Sequence, residues 1–274
     1  MGLKTWSYIF ASVIGTSHIK ADKPCQDRSN CELLTGKDGT QILVAVTADG
    51  AGSAARAEDG AALACSLFYA KVSELLKSGG ACAVTREFVV QWLGSFQQEI
   101  LAKAQGEELT AQDFACTFLA AVVGEDCAVF AQIGDGAIVI SPSSADNYSC
   151  IFWPQQGEYV NQTNFATDQD AHENLEYQRI DGVIDELAMF TDGLQMLALD
   201  YKTRKAFTPF FQPIFEWLRP AQDGSSEKHT SALKEFLAAE KTNERTDDDK
   251  TLILATRRSP TSSFVVSEPN HESL

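Results

Sequence analysis

Carboxylates recur in five short motifs along this chain of 274 residues: Gln26-Asp27, Asp49-Gly50-Ala51-Gly52-Ser53, Gly134-Asp135-Gly136, Thr191-Asp192-Gly193-Leu194 and Asp247-Asp248-Asp249-Lys250-Thr251. Carboxylates brought together from such distant positions repel one another unless a cation neutralises them. An all-oxygen ligand set favours a hard divalent ion such as Mg²⁺ or Mn²⁺. Each motif alone is a common turn sequence. Their joint order, with four of the five beside apolar runs, is what points to a site.

Three motifs follow strand-like runs: Ile42-Leu43-Val44-Ala45-Val46, Ala128-Val129-Phe130-Ala131-Gln132-Ile133 and Leu187-Ala188-Met189-Phe190. The last motif precedes one, Leu252-Ile253-Leu254-Ala255. A carboxylate at the end of a buried strand is held rigidly and faces the rim of the sheet. Helical periodicity spans about 54–77, with Ala64, Leu67, Phe68, Lys71 (by its stem), Val72 and Leu75 near one face. A second helix spans about 85–104, where Val89, Trp92, Leu93, Phe96 and Ile100 recur at three- and four-residue spacing and Thr85 can cap. Residues 115–140 read as a meander of antiparallel strands turned at Gly124-Glu125-Asp126 and Gly134-Asp135-Gly136. Further expected elements are a strand at 150–153 within a polar stretch 141–181, a helix at 194–199, helices at 207–218 and 228–241, and a final strand at 252–255. Paired helices and antiparallel strands predict an α+β chain of two stacked sheets with helices outside. One domain is expected over 1–257, with 258–274 a flexible tail.

The composition narrows the partners. With 22 basic and 38 acidic residues the formal charge is −16, which argues against nucleic acid or an anionic membrane. The seven cysteines (25, 31, 65, 82, 116, 127 and 150) form no Cys-x-x-Cys pair. They read as inert, free thiols of a reducing cytosol, so the expected location is cytoplasmic. The four histidines are scattered, which disfavours a zinc cluster. No segment reads as a signal peptide or a membrane span.

The ordered motifs resemble the metal-dependent serine/threonine phosphatase family (PPM, type 2C), and more narrowly its bacterial branch. The resemblance runs from about residue 12 to residue 256 and includes Thr117 in Ala115-Cys116-Thr117-Phe118. It implies an α/β/β/α four-layer sandwich with a binuclear centre of Mn²⁺ or Mg²⁺ at one end of the sheets. By position, Asp49 would bridge both ions, the Gly50 carbonyl would ligate one, and Asp192 and Asp248 would hold the other. Gln26 and Asp27 would bind or orient metal waters from behind. Asp135 occupies the place that can help hold a third ion. The implied reaction is hydrolysis of phosphoserine and phosphothreonine in proteins by a metal-activated water, with a cognate Ser/Thr kinase in opposition.

Four positions depart from the family pattern. His18 stands where a phosphate-gripping arginine is usual, and can still donate to phosphate as a weaker, pH-dependent clamp. Ala51 replaces a histidine that serves many eukaryotic members as general acid. Gln26 replaces an acidic residue, and Met196 stands where a second aspartate is common. Two functional readings follow: an active phosphatase, or a phosphatase-fold module that binds a phosphoprotein or regulatory partner with little turnover. The polar stretch Gln155–Thr163 is the expected determinant of substrate choice. Asp247 and Asp249 are expected to be solvated.

Overall fold

Strands buried on both faces read as near-continuous apolar runs, and side chains then divide by parity between the two faces. The computed structural model, which describes residues 5–142, 148–155, 163–222 and 224–258, is built on that division. In chain order the elements are β1 (Thr5–Val13), α1 (Thr16–Lys20), β2 (Arg28–Thr35), β3 (Gln41–Ala48), α2 (Ala57–Leu76), α3 (Arg86–Gly106), β4 (Phe118–Val123), β5 (Cys127–Ile133), β6 (Ala137–Ser141), β7 (Ser149–Cys150), β8 (Glu176–Asp181), β9 (Glu186–Phe190), α4 (Gln195–Ala198), β10 (Leu199–Asp200), β11 (Lys205–Ala206), α5 (Thr208–Leu218), β12 (Gly224–Ser225), α6 (Glu227–Ala238), α7 (Glu240–Asn243) and β13 (Lys250–Arg258). One sheet has the order β2-β3-β4-β5-β8 and is antiparallel throughout. The other has the order β12-β1-β13-β9-β6-β7 and is antiparallel except where the short β12 lies parallel to β1.

Parity sorts the core into three layers. Val44, Val46 and Val122 face outward and pack with Phe68, Trp92 and Phe96 of α2 and α3. Leu43, Ala45, Leu119 and Phe130 face the other way, against Ile138, Leu187, Met189 and Ile253 of the second sheet. On the far side of that sheet Ala188, Phe190, Leu252 and Leu254 meet Phe211 and Phe215 of α5 and Leu233 and Leu237 of α6. The outcome is the expected α/β/β/α sandwich. The first outer layer is anchored by Trp92, whose ring stacks on Phe118 at 4.0 Å and lies 5.7 Å from Phe96. Thr85 caps α3 as its sequence predicts, its hydroxyl accepting from the Phe88 amide at 3.2 Å.

Several expectations are corrected. β2 has no counterpart among the expected elements, and β8 lies in the stretch 141–181 read as polar; both are edge strands of their sheet with several partly exposed residues, so they lack an apolar run. The strand expected at 150–153 is confined to Ser149–Cys150. Cys82 and Cys127, expected as free thiols, are disulfide-bonded, joining the α2–α3 connection to the start of β5. The proposed tail lies, apart from Arg258, outside the described residues, as does the middle of the Gln155–Thr163 stretch. Among the described residues no helix is long and apolar enough to cross a membrane.

Trp92 is fully buried between both helices and the sheet. Trp92→Ala should therefore destabilise the protein by about 3–5 kcal/mol in urea unfolding, whereas a loss under about 1 kcal/mol would show this layer to be loosely packed.

Candidate metal centre

Antiparallel pairing brings the motifs to one end of the sandwich. Ala48, at the end of β3, pairs with Arg28 at the start of β2, so Asp27 and Asp49 become neighbours. Phe190, at the end of β9, pairs with Leu252 of β13 and with Ala137 of β6, which draws Asp192, Asp248 and Asp135 to the same rim. Carboxylate oxygens of Asp49, Asp135 and Asp192 lie within 4.8 Å of one another. Asp248 lines the same cleft, an open cavity of about 1260 Å³, beyond that close spacing. Gly50 also lines it.

Each main ligand candidate is locally braced. The Asp49 amide donates to the Thr117 hydroxyl at 2.9 Å, and the Thr117 amide donates to the Asp49 carbonyl at 2.8 Å. Asp27 is buried behind Asp49; its Oδ2 accepts from the Thr191 and Thr251 hydroxyls at 2.8 and 2.7 Å. Its Oδ1 is buried with no hydrogen-bond donor among the described residues. Gln26 is buried beside it, its side-chain oxygen likewise without a donor. At Gly193 any Cβ would lie 2.0 Å from the Asp249 carbonyl, so only glycine lets the Asp192 turn close against the start of β13.

Asp249, expected in solvent, is instead buried. It is an acceptor for the loop after β1: the Gly15 amide donates to Oδ1 at 2.6 Å, the Gln26 amide to Oδ2 at 2.6 Å, and His18 Nδ1 lies 2.9 Å from Oδ2. His18 is itself almost buried and lines the cleft. Asp247, by contrast, is exposed, and its carbonyl accepts from the Ser17 amide and hydroxyl. Met196 is 74% exposed rather than turned into the acidic cluster.

Sequence reasoning missed two further supports. The Asp135 turn, with Gly134 at φ +108°, is clamped by glutamines. Gln132 donates to the Gly134 and Gly136 carbonyls, Gln155 accepts from the Gly134 amide at 2.8 Å, and Gln195 donates to the Asp135 carbonyl. Gln132 is the one polar residue in the run of β5, and that was the available signal. Lys250 is the other support: fully buried, it donates to the Asp248 carbonyl at 3.1 Å. Burial lowers its pKa, opposed by the charges of Asp249, Asp248 and Asp27.

The carboxylates are frustrated. Burial, then the charges of Asp192, Asp27, Asp248 and Asp135, hold the Asp49 carboxyl well above its usual range. Asp192 is pushed up to about 8 by burial and by Asp135, Asp248 and Asp27. Asp27 rises to about 6, chiefly by burial, despite its two hydroxyl donors. Hard oxygens in mutual repulsion, with a buried carboxylate oxygen left undonated, fit a hard divalent cation. A second grouping, Cys82, Cys127 and Asp181, does not fit one, because its sulfurs are bonded to each other.

A four-layer sandwich with aspartates gathered at one end of its sheets defines a metal-dependent phosphatase class, and comparison with known proteins agrees. A family model for protein phosphatase 2C matches residues 14–238. Serine/threonine-protein phosphatase 3 of Escherichia coli (strain K12) is 38% identical over 251 residues, covering 92% of this chain and 98% of that protein. PppA of Pseudomonas aeruginosa superposes with a TM-score of 0.62 at 14% identity, over 94% of this chain and 100% of that one. Serine/threonine phosphatase Stp1 of Staphylococcus aureus gives 0.56 at 16% identity, over 93% and 97%. These two structures speak for the fold. The chain belongs to the protein phosphatase 2C family of metal-dependent protein-serine/threonine phosphatases.

The raised carboxyls set the pH dependence of the metal-free protein. A group whose pKa is higher folded than unfolded stabilises the fold below its unfolded value and loses that contribution as pH rises through its folded value. For Asp192 the window runs from 3.8 to about 8. With chelator present the melting temperature should fall from pH 5 to pH 8, and Mn²⁺ should raise it more at pH 8 than at pH 5. A chelated protein whose melting temperature climbs across that range would contradict the assignment.

Proposed function

We propose that the cleft hydrolyses phosphoserine and phosphothreonine in proteins with two Mn²⁺ or Mg²⁺ ions, held by Asp49, the Gly50 carbonyl, Asp192 and Asp248. Asp135 is the candidate ligand for a third. The observation that carries this reading is the convergence of Asp49, Asp135 and Asp192 within 4.8 Å on one cleft, from segments far apart in the chain. Bound there, the cations would neutralise phosphoryl oxygens and make a water acidic enough to attack phosphorus near neutral pH.

The chain's own residues supply position. Thr117 holds the backbone of Asp49, and Thr191 and Thr251 orient Asp27 behind it. His18, its Nδ1 held beside Asp249, is the candidate donor to a phosphate oxygen. Ala51 lines the cleft with a methyl group, so the departing seryl or threonyl oxygen takes its proton from solvent or another group. That feature favours the slower reading, a module that grips a phosphoprotein with little turnover. Phosphoprotein substrates require a Ser/Thr kinase to make them, and both enzymes would meet in the cytoplasm, where ATP is available.

Asp49→Asn should lower Mn²⁺-dependent phosphate release from a phosphopeptide by about three orders of magnitude or more, since several kcal/mol of transition-state stabilisation depend on the centre. Circular dichroism should remain that of the folded wild type. Activity retained in Asp49→Asn would remove the centre from the reaction, and metal binding without turnover in the wild type would select the slower reading.

A further inference from the structure

The cleft floor is acidic, yet its substrate is an anion. Beside it stands a short basic lip. The β10–β11 hairpin carries Lys202 and Arg204 in its turn and Lys205 at the start of β11, all exposed. The hairpin sets one carboxylate against these three cations: Asp200 Oδ1 accepts from the Lys202 amide at 2.9 Å and the Thr203 amide at 3.2 Å, which holds the turn. The tip of the hairpin therefore presents cations, on a chain whose overall charge is −16.

Arg204 sits at φ 52°, in the left-handed region that a long L side chain seldom adopts and that glycine or asparagine would enter more easily. An arginine kept in such a conformation points to a use for its side chain. Its guanidinium lies 5.5 Å from the centre of the Trp153 ring, within cation–π range. Trp153 meets Tyr201 edge-on at 5.3 Å. Tyr201 lines the cleft with Asp135 and Asp192, its hydroxyl donates to Gln195, and Gln195 donates to the Asp135 carbonyl. The lip is thus joined by direct contacts to the floor on which the phosphate would rest.

We propose that the β10–β11 hairpin docks an acidic segment of the phosphoprotein substrate next to the phosphorylated residue. Lys202, Arg204 and Lys205 meet its carboxylates, and Tyr201 and Trp153 form the apolar wall beside it. The occupant follows from charge complementarity: a basic rim charge selects partners and speeds their encounter more than it adds raw affinity. The inference rests on the phosphatase reading above.

The test compares phosphoserine peptides flanked by Asp/Glu, by Ala or by Lys on the wild type and on the double variant Lys202→Glu, Arg204→Glu, with Mn²⁺ present. p-Nitrophenyl phosphate serves as a probe too small to span the cleft and the hairpin. The wild type should favour acidic flanks in kcat/KM, mainly through KM. The double reversal should remove about tenfold of that preference and shift it toward Lys flanks, and 0.5 M salt, roughly a tenth-to-one molar regime where screening is short-ranged, should erode the wild-type preference. Equal wild-type rates on the three peptides, or a variant that loses equally on all of them and on the aryl phosphate, would overturn the proposal. A wild type inert toward all three peptides and toward p-nitrophenyl phosphate would overturn the phosphatase reading itself, and the docking lip with it.

Discussion

Like-charge repulsion at one end of the sandwich governs the rest of the structure. Two unit charges 4.8 Å apart repel by about 3 kcal/mol at the effective dielectric of a protein site. Three ionised carboxylates at that spacing would cost about 10 kcal/mol, comparable with the whole stability of a domain. Asp49, Asp135 and Asp192 therefore cannot all stay charged and close without cations. Burial and the neighbouring carboxylate charges accordingly raise the pKa of each. The arrangement makes physical sense as a cation site, and the sandwich supplies the rigidity to keep it.

That rigidity is distributed unevenly by design of the strand ends. Asp27 and Asp249 are more deeply buried than the cluster and have different surroundings. Asp249 receives two backbone amides and His18, so it binds the loop after β1 to the start of β13. Asp27 receives two hydroxyls on one oxygen and, among the described residues, no donor on the other. The first is a structural anchor and the second faces the centre from behind. Lys250 adds a buried cation on the same side. The glutamines around the Asp135 turn do the equivalent for the opposite wall.

What could be read before folding was set by periodicity. Strands buried on both faces announce themselves as apolar runs, and α3 announces itself by spacing and its Thr85 cap, so the layers were legible. β2 and β8 were not, because edge strands with partly exposed residues carry no such run. Asp248 and Asp249 show a sharper limit: adjacent residues entering a strand project to opposite sides, so one lines the cleft while its neighbour anchors a loop. Nothing local separates them. The Cys82–Cys127 link was illegible for a similar reason, since partners 45 residues apart are chosen by the fold.

In the proposed centre, aspartates from separate strand ends jointly hold the cations. Anomalous diffraction at the manganese edge from crystals grown with Mn²⁺ tests it most directly. Peaks in contact with Asp49 and Asp192 are expected, and loss of those peaks in Asp49→Asn would complete the case. Ordered protein with these carboxylates in place and no anomalous density among them would contradict it.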